Sequence, residues 1–282
     1  MKPIIKLGGN MKKFIGFIII LGICLLSGCK CEKQKQTLGV WWWDDTLGID
    51  YLEFAKNNEV TEIYYCNSSF DGKTSKFIEK ANEYEIKVYW LAGEYQWLDD
   101  SKKLYEQISN YEEYQKTFDK NKFSGIHLDI EPHQNPNFDI ERIGLITNLI
   151  GLANDLKSNY PDITFDYDIP FWLNDIITYK NLEKKAYEHI IDVADRVFLM
   201  SYRDSSNSIY DVSKDEIEYA SINNKVLILG IETKSNEGDK VSFQEEGKDY
   251  MYLQIKELRK KIPSNFGVSI HQIKTWKELK DK

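Results

Sequence analysis

Asp129 and Glu131 stand two residues apart in FSGIHLDIEPH, residues 123–133, a stretch whose remaining side chains read as a buried strand. Ile126, Leu128 and Ile130 alternate with His127, Asp129 and Glu131, so one face is apolar and the other ionisable. Two carboxylates on one face of a strand lie close together, and in a low-dielectric site that proximity pushes one of them toward its protonated form. An acid that keeps its proton near neutral pH can deliver it to a leaving oxygen, which is what breaking a glycosidic bond requires. A second glutamate, Glu232, closes the run ILGIE. An acid/base on one strand facing a nucleophilic carboxylate on another, about 5 Å away, is a second way to cleave sugars, and both arrangements are open at this point.

These side chains need elements to aim them. From residue 37 onward, apolar strand-like runs alternate with segments of helical period. The runs are TLGVWWW (37–43), VTEIYYC (60–66), IKVYWLA (86–92), SGIHLDI (124–130), ITFDYDI (163–169), RVFLMSY (196–202), KVLILGI (225–231) and FGVSIHQI (266–273). Amphipathic stretches such as SKFIEKANEYE and IERIGLITNLIGLANDLKSNY lie between them. Eight such units predict an α/β fold, a single closed (β/α)8 barrel (TIM barrel) over residues 37–282, with an open doubly wound sheet as the alternative. No GxGxxG or GxxxxGK[ST] follows an early strand, so a nucleotide-binding sheet has no support.

Active sites in this barrel form at the C-terminal ends of the strands. Those ends carry Trp43 and Asp44 on the first strand, Glu94 and Trp97 past the third, and Asp129, Glu131 and His133 on the fourth. Asp168 and Trp172 follow on the fifth, Tyr202 and Asp204 on the sixth, Glu232 on the seventh, and His271 and then Trp276 on the eighth. The tryptophans are expected to stack on sugar faces, and His127, deeper on the fourth strand, to line the same site. Asp166 is expected either to line the site or to bond neighbouring strands, and His189 in YEHIIDVAD to be structural. His127, His133, His271 and Glu131 could converge on a metal, but the first strand lacks the HxH pair of metal hydrolases, and no metal or other cofactor is expected. No GxSxG supports a serine nucleophile.

The chain has 282 residues, 42% hydrophobic and 13% aromatic, enough for a large core. Lys and Arg total 37 against 45 Asp and Glu, a balance that argues against nucleic acid as a partner. The N-terminus reads separately: Lys12 and Lys13, the apolar run FIGFIIILGICLL (14–26), then small residues before Cys29. This resembles the lipobox of bacterial lipoproteins. It implies a signal peptide over residues 1–28 (residues 1–10 lying upstream of a start at Met11), a lipidated Cys29, a tether to residue 36, and a location on the outer face of the cell membrane. Cys31 and Cys66 make no disulfide framework, and Cys66 is expected to be a small buried residue. The barrel is expected to act as a monomer.

SGIHLDIE (124–131) resembles the DGxDxDxE strand of the family-18, chitinase-like glycoside hydrolases, with Gly125, Asp129 and Glu131 matching and Ser124 and His127 in place of the first two aspartates. FLMSYRD (198–204) is similar to that family's M-x-Y-D, with Arg203 inserted before Asp204, and Trp276 corresponds to the tryptophan that floors the sugar subsite. The resemblance implies a substrate-assisted reaction. Glu131 protonates the glycosidic oxygen, the sugar's own acetamido oxygen attacks the anomeric carbon, and Asp129 and Tyr202 hold that amide. His127 would take over from the missing aspartate, supporting Asp129 from below. The competing pair is Glu131 with Glu232 as nucleophile, and a carbohydrate-binding lipoprotein without catalysis is the alternative from another class.

Overall fold

The computed structural model describes residues 36–235 and 237–281; the expected signal peptide, the expected lipidation site Cys29 and nearly all of the expected tether fall outside them. Each of the eight apolar runs supplies one barrel strand. They are β1 (Leu38–Trp42), β2 (Glu62–Tyr65), β3 (Lys87–Ala92), β4 (Ile126–Leu128), β5 (Phe165–Pro170), β8 (Arg196–Met200), β9 (Val226–Glu232) and β10 (Gly267–His271). All are parallel, and they close in the order β1-β10-β9-β8-β5-β4-β3-β2. The chain is a (β/α)8 barrel, not an open sheet.

Alternation along the strands sorts side chains between two cores. Val40, Trp42, Ile63, Tyr65, Val88, Trp90, Ile126 and Leu128 point outward into the layer between sheet and helices. Trp41, Tyr64, Tyr89, Leu91, Phe198 and Ile228 point inward and form a separate cluster inside the barrel. Gly39 makes room for one of these rings: a Cβ there would meet the Tyr64 hydroxyl at 2.1 Å. The helices are α1 (Ile49–Asn57), α2 (Gly72–Glu83), α3 (Lys102–Thr117), α4 (Phe138–Asn159), α5 (Ala186–Val193), α6 (Ser206–Val212), α7 (Lys214–Ile222), α8 (Lys248–Lys261) and α9 (Ile273–Glu278). α2 shows how the sequence writes them. Asp71 caps it by accepting from the Lys73 and Thr74 N–H groups, Thr74, Ile78 and Ala81 give it a buried stripe, and Phe77 stacks on Tyr65 at 4.0 Å. Among the described residues no helix is long and apolar enough to cross a membrane.

Two elements depart from the sequence reading. A hairpin, β6 (Ile176–Tyr179) and β7 (Leu182–Lys185), lies between β5 and α5. Its two-residue turn places Lys180 and Asn181 at φ 49° and 63°, both left-handed. The other departure is length: β4 holds only three residues, so Asp129 and Glu131 lie beyond the regular strand. The alternation nonetheless continues, because the Asp129 N–H still donates to the Ala92 carbonyl at 2.9 Å and Glu131 keeps an extended backbone at φ −102°, ψ 99°.

At the N-terminal end of the barrel the interior is ionic. The Arg196 guanidinium forks onto Asp166 at 2.9 and 2.6 Å and donates to Glu62 at 2.6 Å; the Tyr64 hydroxyl donates to the same Glu62 oxygen at 3.2 Å. Asp166 therefore bonds across strands and does not line the mouth.

Candidate active site

Above the aromatic layer the barrel opens into a cavity of about 480 Å³ lined by Asp129, Glu131, Tyr202, Glu232 and His271, with Trp43, Gly93 and Met200 on its walls. Asp129, Glu131, Tyr202 and Glu232, expected at strand ends from sequence alone, thus share one chamber. Gly93 gives the narrowest tolerance: a Cβ would lie 1.8 Å from the Asp129 carbonyl oxygen, so β3 can close against β4 only with glycine there.

The electrostatics of the chamber favour neutral acids. Burial, with the carboxylates of Asp168 and Glu131 adding to it, pushes Asp129 well above the ordinary carboxylate range against the pull of His127. Glu131 is raised to about 7 by burial and by Asp168, and His271 offsets part of this. The Gln134 amide donates to one Glu131 oxygen, and His133 Nε2 stands 3.4 Å from the other. The Tyr202 phenol is pushed up by burial and by Glu232, Asp168, Asp129 and Glu131, so it stays a hydrogen-bond donor.

Beneath these acids His127 is fully buried, and its expected role needs correction. Its Nε2 bonds Asp168 Oδ2 at 2.8 Å, not Asp129, and its Nδ1 lies 3.9 Å from Asp166. Its ring stacks on Tyr64 at 4.3 Å and meets Phe198 edge-on at 4.5 Å. Burial works against its charge, but Asp168 and Asp166 overcome this and hold it up at about 9, so it is an imidazolium at neutral pH. Trp41 also donates to Asp168 Oδ2, at 3.0 Å. His127 is a floor residue under the site rather than a sugar contact.

Across the chamber Glu232 is held by three donors: the Thr233 and Lys234 N–H groups at 2.7 and 2.8 Å, and His271 Nδ1 at 2.8 Å. The Trp43 indole N–H donates to His271 Nε2 at 3.1 Å. An indole only donates, so Nε2 accepts and Nδ1 carries the proton toward Glu232.

No family model and no curated protein matches the chain. Solved structures do. A family-18 chitinase from Pseudoalteromonas aurantia matches with a TM-score of 0.55 at 13% identity, over 84% of this chain and 93% of that one. The spore cortex-lytic enzyme SleL of Bacillus megaterium matches at 0.54 and 13%, over 88% and 74%. A class V chitinase from Nicotiana tobaccum matches at 0.52 and 12%, over 86% and 99%. The fold is that of the chitinase-type barrels.

In this chitinase-type barrel the remaining expected residues scatter. Trp276 is the clearest correction. It is fully buried on α9 with Phe54 at 5.0 Å and Tyr252 at 6.4 Å, and it packs helices together instead of flooring a sugar subsite. Asp204 also leaves the chamber, its N–H donating to the Lys240 carbonyl in a neighbouring loop. Asp44 folds onto its own loop, accepting from Thr46. His133 and Trp172 pair outside the chamber at 5.3 Å, with Arg142 over the Trp172 ring. Glu94 and Trp97 line a second, adjoining cavity of about 610 Å³ that shares Trp43 and Gly93 with the chamber; there Lys103 holds Glu94 at 2.6 and 2.9 Å. His189 bonds the Ile177 carbonyl at 3.0 Å, a structural contact. Cys66 is half-buried on the wall of that second cavity. Gln134 and Gly93 were missed. Gln134 follows Glu131 by one 3-10 turn, a spacing the sequence displays, whereas Gly93 matters only through the close approach of two strands. Among the described residues no group of three or more His, Cys, Asp or Glu side chains is arranged to hold a metal ion.

Proposed function

We propose that the protein is a glycoside hydrolase that cleaves a glycan containing N-acetylated amino sugars by a substrate-assisted acid mechanism. The observation that carries this reading is Glu131, lining the open chamber beside Asp129 and Tyr202 and raised to about 7, where an acid holds a proton at neutral pH and can still release it. Glu131 gives its proton to the glycosidic oxygen as the bond to the anomeric carbon breaks, and the acetamido oxygen of the same sugar closes on that carbon. Tyr202 donates to the acetamido oxygen and Asp129 accepts from the acetamido N–H, so that the two hold the group in line. Water then opens the ring, and Glu131 recovers its proton from that water.

The rival retaining pair is less well served, because both oxygens of Glu232 already accept hydrogen bonds and a carboxylate so engaged is a weakened nucleophile. One experiment separates the readings. N-acetylated and non-acetylated oligosaccharides are incubated with the barrel domain, Glu131→Gln and Glu232→Gln. Cleavage of acetylated substrates alone, with Glu232→Gln retaining activity, supports the proposal. Loss of activity in both variants with azide rescue of one points to the retaining pair, and binding without cleavage makes the protein a carbohydrate-binding lipoprotein.

The leader supports a further part of the proposal: lipidation at Cys29 tethers the barrel to the outer face of a bacterial membrane, where it acts as a monomer. Detergent-phase partitioning of the full chain, lost in Cys29→Ser, tests the anchor.

A further inference from the structure

Asp129 and Asp168 are neighbours that no sequence motif joins. β4 and β5 are paired with Ile126 opposite Phe165, His127 opposite Asp166 and Leu128 opposite Tyr167, so one more step sets Asp129 beside Asp168 on the interior face. Adjacent strands run about 4.8 Å apart, and these carboxyls share a wall. Each has a buried oxygen without a partner, Oδ1 in both cases. Asp168 Oδ2 is taken by His127 and Trp41, which fixes the side chain. Two buried acceptors side by side with no donor are costly, and one proton between them turns two unsatisfied atoms into one hydrogen bond.

We propose that Asp168 is a positioning residue for Asp129: the neutral Asp129 carboxyl donates its proton to Asp168 Oδ1, and the two share a single negative charge that His127 balances from below. The resembled motif stacks its acids along one strand. Here the deeper position is His127, and the lost carboxylate is replaced sideways, from the next strand. This explains why a histidine stands in the motif: it is the counter-ion of the relocated acid. The inference rests on reading the chamber as an acid site, but its test does not require turnover.

The other charged groups facing Asp129 are Glu131 on its own segment, Tyr202 past β8, and Glu232 with His271 across the chamber. Two more are already neutralised: Asp166 by Arg196, and Lys234 by Glu237 at 2.7 Å. The Asp carboxyl carbons of the unliganded barrel domain, labelled with carbon-13, are titrated by NMR, with Asp129 assigned by the signal missing in Asp129→Asn. Asp129 should be in its neutral form at pH 6. In Asp168→Asn its midpoint should fall by about one pH unit or more, and in His127→Gln it should rise. Opposite shifts from two residues in contact are not what general loosening of the barrel produces. An Asp129 already ionised at pH 6 in the unaltered protein overturns the pair, as do shifts of the same sign in the two variants. The titration is independent of substrate: the expected shifts in a protein that cuts no glycan would keep the pair and remove the hydrolase reading.

Discussion

At the N-terminal end of the barrel Arg196 is gripped by Asp166 and Glu62, every carboxylate has a cation, and Asp166 is held below the ordinary carboxylate range by Arg196 in spite of its burial. At the C-terminal end Asp129, Glu131 and Tyr202 are all displaced the other way, toward their protonated forms. The same residue types thus do opposite work about three strand residues apart. The difference lies in the partner. A guanidinium in fork geometry makes a buried carboxylate comfortable as an anion, whereas acids crowded together without one keep their protons. Stability is invested at one end and reactivity at the other.

Removing the reactive end's proton donor should give the largest effect. Glu131→Gln is expected to lower kcat on an N-acetylated oligosaccharide by roughly 10²–10⁴-fold with the circular dichroism spectrum unchanged. On the proposed function, kcat/KM of the unaltered protein should fall as pH rises above about 7, because the donor must be protonated and its carboxyl is raised to about 7. At the paired end, Arg196→Met should cost about 3–5 kcal/mol in urea unfolding, since it strands two buried carboxylates, and adding Asp166→Asn and Glu62→Gln should recover much of the loss.

Next in size comes an inversion of the usual cost of mutation. Glu131 has a raised folded-state pKa, so its unfolded form loses a proton first as pH rises and the native state is progressively penalised between about pH 4.5 and about 7. Glu131→Gln should therefore be stabilising by roughly 1–3 kcal/mol at pH 8 and near neutral in effect at pH 4, read from denaturant midpoints at the two pH values. The smallest effect is Tyr202→Phe, expected to lower kcat about tenfold through one lost hydrogen bond to the reacting amide, with little change in unfolding temperature.

Much of this was legible in the sequence, for identifiable reasons. The eight strands announce themselves because an enclosed parallel strand must be apolar on its outward face, and period-two alternation within FSGIHLDIEPH separates the acids from that face. The hairpin from Ile176 to Lys185 was not legible, since its strands are four residues each with only Ile177 buried, and its turn rests on Lys180 and Asn181 rather than on a glycine. Trp276 was misread because nearness to a strand end does not say which side of the sheet a helix residue faces. His127 was misread for a deeper reason. Its partner, Asp168, is 41 residues away and is chosen by strand register, which no single strand encodes. Of the Glu62–Arg196–Asp166 network only one part was legible, that Asp166 could bond neighbouring strands; its partners were hidden on the same ground.

Between the two ends lies the layer of Trp41, Tyr64 and Phe198, rings packed edge to face at 4.7 to 6.0 Å. It acts as a partition. Substitutions on the rim can change what the chamber recognises without disturbing the ionic clasp below, and the clasp can hold the barrel while the rim drifts. A protein divided this way can stand at 13% identity to structures whose fold it shares.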